Sequence, residues 1–381
     1  MKFKKTLTVL AAVFAVAFYL FWPGFTPDLG TQSELYLQHT ESFGTNTQKG
    51  NVVGIEPFMV PLDYATPARF EAKIGGYIKE AQGKGWINEG TIILLPEHIG
   101  TWLAATNSGT RVYNASSTFA AMRPLIFQNL LQFLKNLYIF DNTDNVSAAF
   151  LRTQTKQTAR AINTVFSNLS KKYGVTIVAG SSALMTPGVY PNALTYGHGP
   201  IFNTGFVFGP DGKAQVDAIR KVYPIPSETG FTTASSSKFL PTFKRDSIDF
   251  GVLICADSWF EDTNAFMASQ GVHLLLVPAY LEGIQWDAPW QGYTAGEHEE
   301  YASWHSDVGQ ITEGEAWIKY AFPAKAAKYG IKWGMTVFLK GKLWEQQGNG
   351  HALIIENGTL HIGKTGSEGA AIYNLWLDKN S

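Results

Sequence analysis

The chain holds a single cysteine, Cys255, in the run F-G-V-L-I-C-A-D-S-W-F. A lone cysteine can form neither an intramolecular disulfide nor a multi-thiolate metal site. It is a buried structural thiol, a stray surface thiol or a nucleophile, and free cysteine commonly packs as a small hydrophobe. A thiol is mostly protonated at neutral pH, so a nucleophilic one needs a base or a positive field beside it. Two other segments could supply both. I-I-L-L-P-E-H carries Glu97, and F-V-F-G-P-D-G-K leads to I-R-K-V-Y-P-I-P-S-E, which carries Lys221 and Glu228. Each reactive side chain stands just past an apolar strand, where α/β folds gather their sites. Taken singly they have plainer readings: Lys221 as a solvated surface lysine, Glu97 as a helix cap, Glu228 as a loop residue.

The elements that must position these side chains alternate in type. Apolar strand patterns occupy residues 52–60, 91–95, 175–181, 202–208, 248–255 and 272–277. Helical spacing occupies residues 66–82, 116–140, 150–172, 261–270 and 315–329. Pro210-Asp211-Gly212 and Asn357-Gly358 are hairpin turn signals. Such alternation predicts one α/β domain over residues 51–381, with layered sheets and helices.

In this order the three segments resemble the nitrilase superfamily of carbon–nitrogen hydrolases. The family's first strand and helix have counterparts in V-V-G-I-E-P-F and A-Q-G-K-G, and the resemblance spans about residues 51–357. Each motif alone is weak; the ordered set is specific. The resemblance implies a four-layer αββα sandwich and a Glu–Lys–Cys triad that works without a cofactor. On it Cys255 is the nucleophile, Glu97 the general base and Lys221 the stabiliser of the oxyanion, aided by the backbone N–H of Ala256. Glu228 resembles an additional glutamate that many members carry after the lysine. The run Ala256-Asp257-Ser258-Trp259 departs from the family, where an acidic or aromatic residue and then an arginine often follow the cysteine. Trp259, Trp286, Trp290 and Tyr293 could line a substrate pocket or fill a core.

The reaction that follows from this resemblance is amidase-type hydrolysis of a small-molecule or lipid-like amide or ester through a covalent acyl-enzyme. An N-acyltransferase of the same superfamily, using lipid or lipoprotein substrates, is the alternative, because K-V-Y-P-I-P-S-E is similar to that branch's lysine–proline–glutamate loop. That branch has a multi-helix membrane domain, whereas this chain has one candidate span. A catalytically inactive binding protein on the same fold is a further alternative. His298 and His305 lack the two-histidine spacing of a metalloprotease helix, so no metal site is expected.

Composition narrows the partners. Lys plus Arg total 30 against 31 Asp plus Glu, a balance that gives no reason to expect nucleic acid. The N-terminus reads M-K-F-K-K and then runs apolar through residues 7–22. Residues 1–23 thus form a signal anchor or a cleaved signal peptide; a buried segment is the third reading. The apolar run passes the small-residue site Ala15-Val16-Ala17 and continues to Trp22, which favours the anchor. The basic flank would stay cytoplasmic, placing a single-pass protein's domain outside the cytoplasm, or a secreted or periplasmic one after cleavage. Residues 24–50 are polar and read as a tether. Within residues 123–140, Gln128, Asn129, Gln132, Lys135 and Asn136 mark one polar helix face. The expectation is that this polar face is outward and the apolar face packs on the domain; the alternative is a helix resting on the membrane beside the active site.

Overall fold

A computed structural model of the protein describes residues 22–25, 30–292, 303–364 and 369–378. Strand β2 (Asn51–Glu56) is buried along its whole length, which a strand attains only when both its faces are covered. Its alternate residues enter two different cores. Val53 and Ile55 join Ile93 and Ile177 under helices α1 (Pro67–Gly83) and α4 (Asn145–Tyr173). Val52 joins Ile92, Leu94 and Val178 against a second sheet.

The first sheet has seven strands in the order β1-β17-β2-β4-β5-β6-β7. They are β1 (Leu37–Phe43), β4 (Thr91–Leu94), β5 (Thr176–Val189), β6 (Leu194–Phe208), β7 (Ile219–Arg220) and β17 (Ala370–Trp376) around β2. The second runs β16-β15-β12-β10-β9-β8, with β8 (Thr242–Arg245), β9 (Ile248–Val252), β10 (Leu274–Ala279), β12 (Trp333–Phe338), β15 (Leu353–Glu356) and β16 (Thr359–Ile362). A small third sheet joins β3 (Phe58–Met59), β11 (Leu281–Glu282), β13 (Lys340–Leu343) and β14 (Gln346–Asn349). The two large sheets touch face to face: a Cβ on Gly54 would lie 2.1 Å from the Met335 sulfur. On the far face of the second sheet, Met267 of α5 (Glu261–Ser269), Trp317 of α6 (Glu313–Tyr320) and Phe322 of α7 (Phe322–Tyr329) complete the packing. The layers therefore run helix, sheet, sheet, helix.

Helix boundaries follow local chemistry. The Thr66 hydroxyl accepts from Arg69 N, and Pro67 opens α1. Asp144 caps α4, which ends at Gly174 with φ +65°.

Two expectations are corrected. The segment read as a tether contains β1, paired in parallel with β17. Just before it, the Tyr77 hydroxyl donates to Leu35 O at 2.5 Å and Arg69 Nη1 donates to Gln32 O at 2.6 Å. An edge strand half open to solvent is polar in composition, and its partner lies at the other end of the chain, so no local pattern announces it. The second concerns residues 123–140. The helix breaks at Asn129 into α2 (Thr118–Gln128) and α3 (Leu130–Ile139). In α3 the buried residues are Phe133 and Asn136, while Leu131, Leu134 and Tyr138 are 85%, 48% and 93% exposed. Asn136 is turned inward because its amide donates to Thr153 Oγ1 of α4 at 3.0 Å. Residues 1–21, which hold most of the N-terminal apolar run, lie outside the described residues. Among the described residues no helix is long and apolar enough to cross a membrane.

Candidate active site

The site forms where the strand ends of both large sheets meet. Glu97 follows β4 and Lys221 follows β7 of the first sheet; Cys255 follows β9 of the second. The chain turns sharply at two of these ends. His98 has φ +58° and Cys255 has φ +50°. Left-handed backbone costs a side-chain-bearing residue about 1–2 kcal/mol, and such strain gathers at functional sites.

The structure brings Glu97, Lys221 and Glu228 into direct contact. Lys221 Nζ donates to Glu97 Oε1 at 2.7 Å and to Glu228 Oε2 at 2.5 Å, and all three side chains are buried. Two residues that sequence reasoning missed complete the network. Asn203 Nδ2, from β6, donates to Glu97 Oε1 at 2.9 Å and to Glu228 Oε1 at 2.7 Å. His98 Nε2 lies 3.1 Å from Glu228 Oε1, and its Nδ1 lies 3.0 Å from Thr101 Oγ1. His98 had a signal in its place beside Glu97; Asn203, inside an apolar strand, had none. Ile225 N also donates to Glu228 Oε2 at 3.0 Å, closing the turn that returns Glu228 to Lys221. Asp257, two residues past the cysteine, accepts from the N–H groups of Val222 and Tyr223 at 2.9 and 2.8 Å. It thereby ties the lysine loop to the cysteine turn that contains Ala256.

Burial and pairing set the charges. Burial works against the Lys221 ammonium, but Glu228 and Glu97 outweigh it and hold the lysine well above its ordinary range. Burial likewise opposes ionisation of Glu228, and Lys221 and His98 overcome it to keep the carboxyl low. His98 is raised, burial being outweighed by its bond to Glu228 and the Glu97 charge. Burial pushes the Cys255 thiol up, and the Glu97 charge pushes further than Lys221 pulls back. The shift favours the neutral thiol, and a nucleophilic role for Cys255 would need its proton transferred as it attacks.

A cavity of about 290 Å³ reaches this network. Glu97, His98 and Glu228 form its polar end; Trp102, Met122, Phe150, Phe231 and Leu343 form apolar walls. Cys255 does not itself line it, but its sulfur contacts the carbonyl oxygen of Tyr280, which does. Of the aromatic residues proposed from sequence, Trp259, Trp286 and Trp290 lie elsewhere. Trp259 stacks on Trp290 with ring centroids 6.1 Å apart and meets Trp317 at 5.2 Å, both within the core. Trp286 packs on Phe338 and His351. Aromatic richness reports volume to be filled, and here the volume is the space between the second sheet and its helices. Tyr293 and His298 lie outside the described residues, and His305 is exposed. The ligand-type atoms of Glu97, His98 and Glu228 lie within 4.8 Å of one another. Both carboxylates already hold the Lys221 ammonium, so the positive charge this cluster needs is supplied by the chain.

The sequence profile of the carbon–nitrogen hydrolase family matches residues 144–338. That span contains Lys221, Glu228 and Cys255 and begins after Glu97. No curated protein matches the chain. Among solved structures, an amidase from Nesterenkonia sp. superposes with a TM-score of 0.50 at 16% identity, over 86% of this chain and 90% of that one. A cysteine-to-alanine mutant of the Nesterenkonia AN1 amidase, of the nitrilase superfamily, gives 0.50 at 15% identity, over 86% and 90%. A double mutant of the amidase from Nesterenkonia sp. AN1 in complex with acrylamide gives 0.50 at 14%, over 87% and 93%. At such identities the likeness is one of fold.

Proposed function

The chain belongs to the carbon–nitrogen hydrolase family of the nitrilase superfamily, and we propose that it cleaves amide bonds by attack of Cys255, with Glu97 as base and Lys221 as oxyanion stabiliser. The observation that carries this reading is the buried ion pair of Glu97 with Lys221, which Glu228 shares, at the strand ends where Cys255 also stands. Glu97 takes the thiol proton as Sγ bonds to the carbonyl carbon. The oxyanion that develops meets the Lys221 ammonium and the Ala256 N–H. Glu97 then returns the proton to the departing nitrogen, the C–N bond breaks and a thioester remains. Water attacks the thioester with Glu97 again as base, releasing the acid and restoring the thiol. Glu228, with Asn203, keeps Lys221 charged and in place.

Trp102, Met122, Phe150 and Phe231 suit a substrate with an apolar acyl group. Their apolar surface also favours a second reading, in which an amine rather than water takes the acyl group from the same thioester. The N-terminal basic flank and apolar run support placement as a membrane-anchored protein with its domain outside the cytoplasm.

The test uses the full chain purified in detergent and offered simple aliphatic amides. Release of ammonia and a transient acyl mass on Cys255 are expected, and Cys255→Ala should lower turnover more than about 10³-fold with its melting temperature unchanged. Unimpaired ammonia release by Cys255→Ala overturns the assignment. An acyl mass that persists in water but passes to an added amine selects acyl transfer. Failure of an amide-shaped electrophile to label Cys255 selects the inactive binding protein.

A further inference from the structure

The outward face of α2 and α3 is a feature of the surface that the active site does not explain. Phe119, Phe127, Leu131, Leu134, Tyr138 and Ile139 are exposed, although soluble proteins rarely leave such apolar groups contiguous. Within α3, positions 131, 134 and 138 follow a helical repeat, so these exposed groups share a side. The opposite side is held to α4 by Phe133 and by the Asn136–Thr153 hydrogen bond. The inward side of α3 thus holds Phe133, Asn136 and the partly buried Leu137, while Leu131, Leu134 and Tyr138 stand outward together with Gln132 and Lys135.

Three observations identify what covers this face. The first is charge: residues 98–140 contain Arg111, Arg123 and Lys135 and no Asp or Glu. The second is where the N-terminal apolar run ends. Arg111 N donates to Pro23 O and Thr110 N to Phe25 O, each at 2.9 Å. Gly109 is packed so tightly on this segment that a Cβ there would lie 2.3 Å from Pro23 O. The 109–113 turn in turn packs on α2, so the chain leaves residue 22 beside the exposed face. The third is the cavity, whose wall includes Thr118 and Met122 of α2.

We propose that the outward face of α2 and α3 docks onto an anionic lipid bilayer, beside the point where the N-terminal apolar run enters it. The geometry rests on the anchoring proposed above. Phe, Leu and Tyr side chains enter the interface while Arg123 and Lys135 meet the headgroups, as on helices that lie in the membrane plane. Docking brings the α2 wall of the cavity against the bilayer, so an amide dissolved in lipid reaches Glu97 and Cys255 from the membrane side.

The experiment places a nitroxide on single cysteines in the full chain carrying Cys255→Ala, reconstituted into vesicles of phosphatidylglycerol and phosphatidylethanolamine. Labels at Leu131→Cys, Leu134→Cys and Tyr138→Cys report the face, Val13→Cys reports the anchor, and Val216→Cys is an exposed control. The face labels should gain oxygen accessibility over that of a water-soluble nickel chelate several-fold relative to Val216→Cys. Water-like face labels with a lipid-buried Val13→Cys overturn the docking while the anchor stands. Water-like labels at both overturn the docking and the anchoring together. Face labels closed to oxygen and chelate alike mean that residues 7–21 or a second copy covers the face, and also overturn it. Equal depth in phosphatidylcholine alone overturns the preference for anionic lipid.

Discussion

The catalytic end of the sheets and the α2–α3 face break the ordinary rule of burial in opposite directions. At the first, two carboxylates and an ammonium are buried; at the second, phenylalanine, leucine and tyrosine side chains stand in the open. Buried charge is tolerated only when paired and hydrogen-bonded, and Lys221, Asn203 and His98 provide this within the chain. Exposed apolar area needs a cover, and the described residues offer none. One region is complete in itself, whereas the other is one half of a contact.

The comparison is broken most severely by Lys221→Met. It strips the cation from Glu97 and Glu228 and leaves buried carboxylates uncompensated, a loss of about 3–5 kcal/mol. Urea unfolding at pH 8 should show it. The deficit should shrink toward pH 5, where the orphaned carboxylates take up protons, and Lys221→Met with Glu228→Gln should recover part of it. An unchanged stability would mean that the ion cluster is solvated.

Next in size is a contrast within α3. Phe133→Ala removes a buried ring and should lower stability by about 3 kcal/mol. Leu131→Glu, two residues earlier, should change it by less than about 0.5 kcal/mol, because the side chain leaves solvent only for a partner outside the chain. Thermal unfolding in detergent compares them; equal losses would show that the α3 face is core.

A smaller effect sharpens the picture of the site. Burial raises Asp257 from its ordinary 3.8 to about 7, against the pull of the Tyr223 N–H and Lys221. Between those values the folded chain holds a proton that the unfolded chain has released. Stability therefore falls as pH rises through this window and levels off above it. Asp257→Asn keeps an acceptor for Val222 and Tyr223 and should flatten the wild-type decline in melting temperature between pH 5 and 8. An identical slope in both proteins would place the titration elsewhere, for instance at Glu313, which burial also raises to about 7.

Much of this was legible in the residues. Apolar runs fixed the inner strands because a strand covered on both faces admits few polar side chains. Glu97 and Cys255 were singled out because each stands where such a run stops, and Lys221 and Glu228 through the family resemblance; the structure brings Glu97, Lys221 and Glu228 together. Asn203 was not, since one amide inside the alternation of β6 looks like a tolerated polar residue until Glu97 and Glu228 are folded against it. Whether Trp259 and Trp290 line a pocket or fill a core was not legible, because a sequence shows that large rings must be housed but not in which layer.

The amino-acid order alone determined the type of most inner elements and marked candidate positions for reactive chemistry, since both leave traces among neighbouring residues. It did not determine that β1 pairs with β17, that Asn136 faces α4, or that Leu131 and Leu134 of α3 face away from the domain. Those were decided by tertiary packing. An edge strand or a helix face has no direction of its own until a distant segment occupies one side of it.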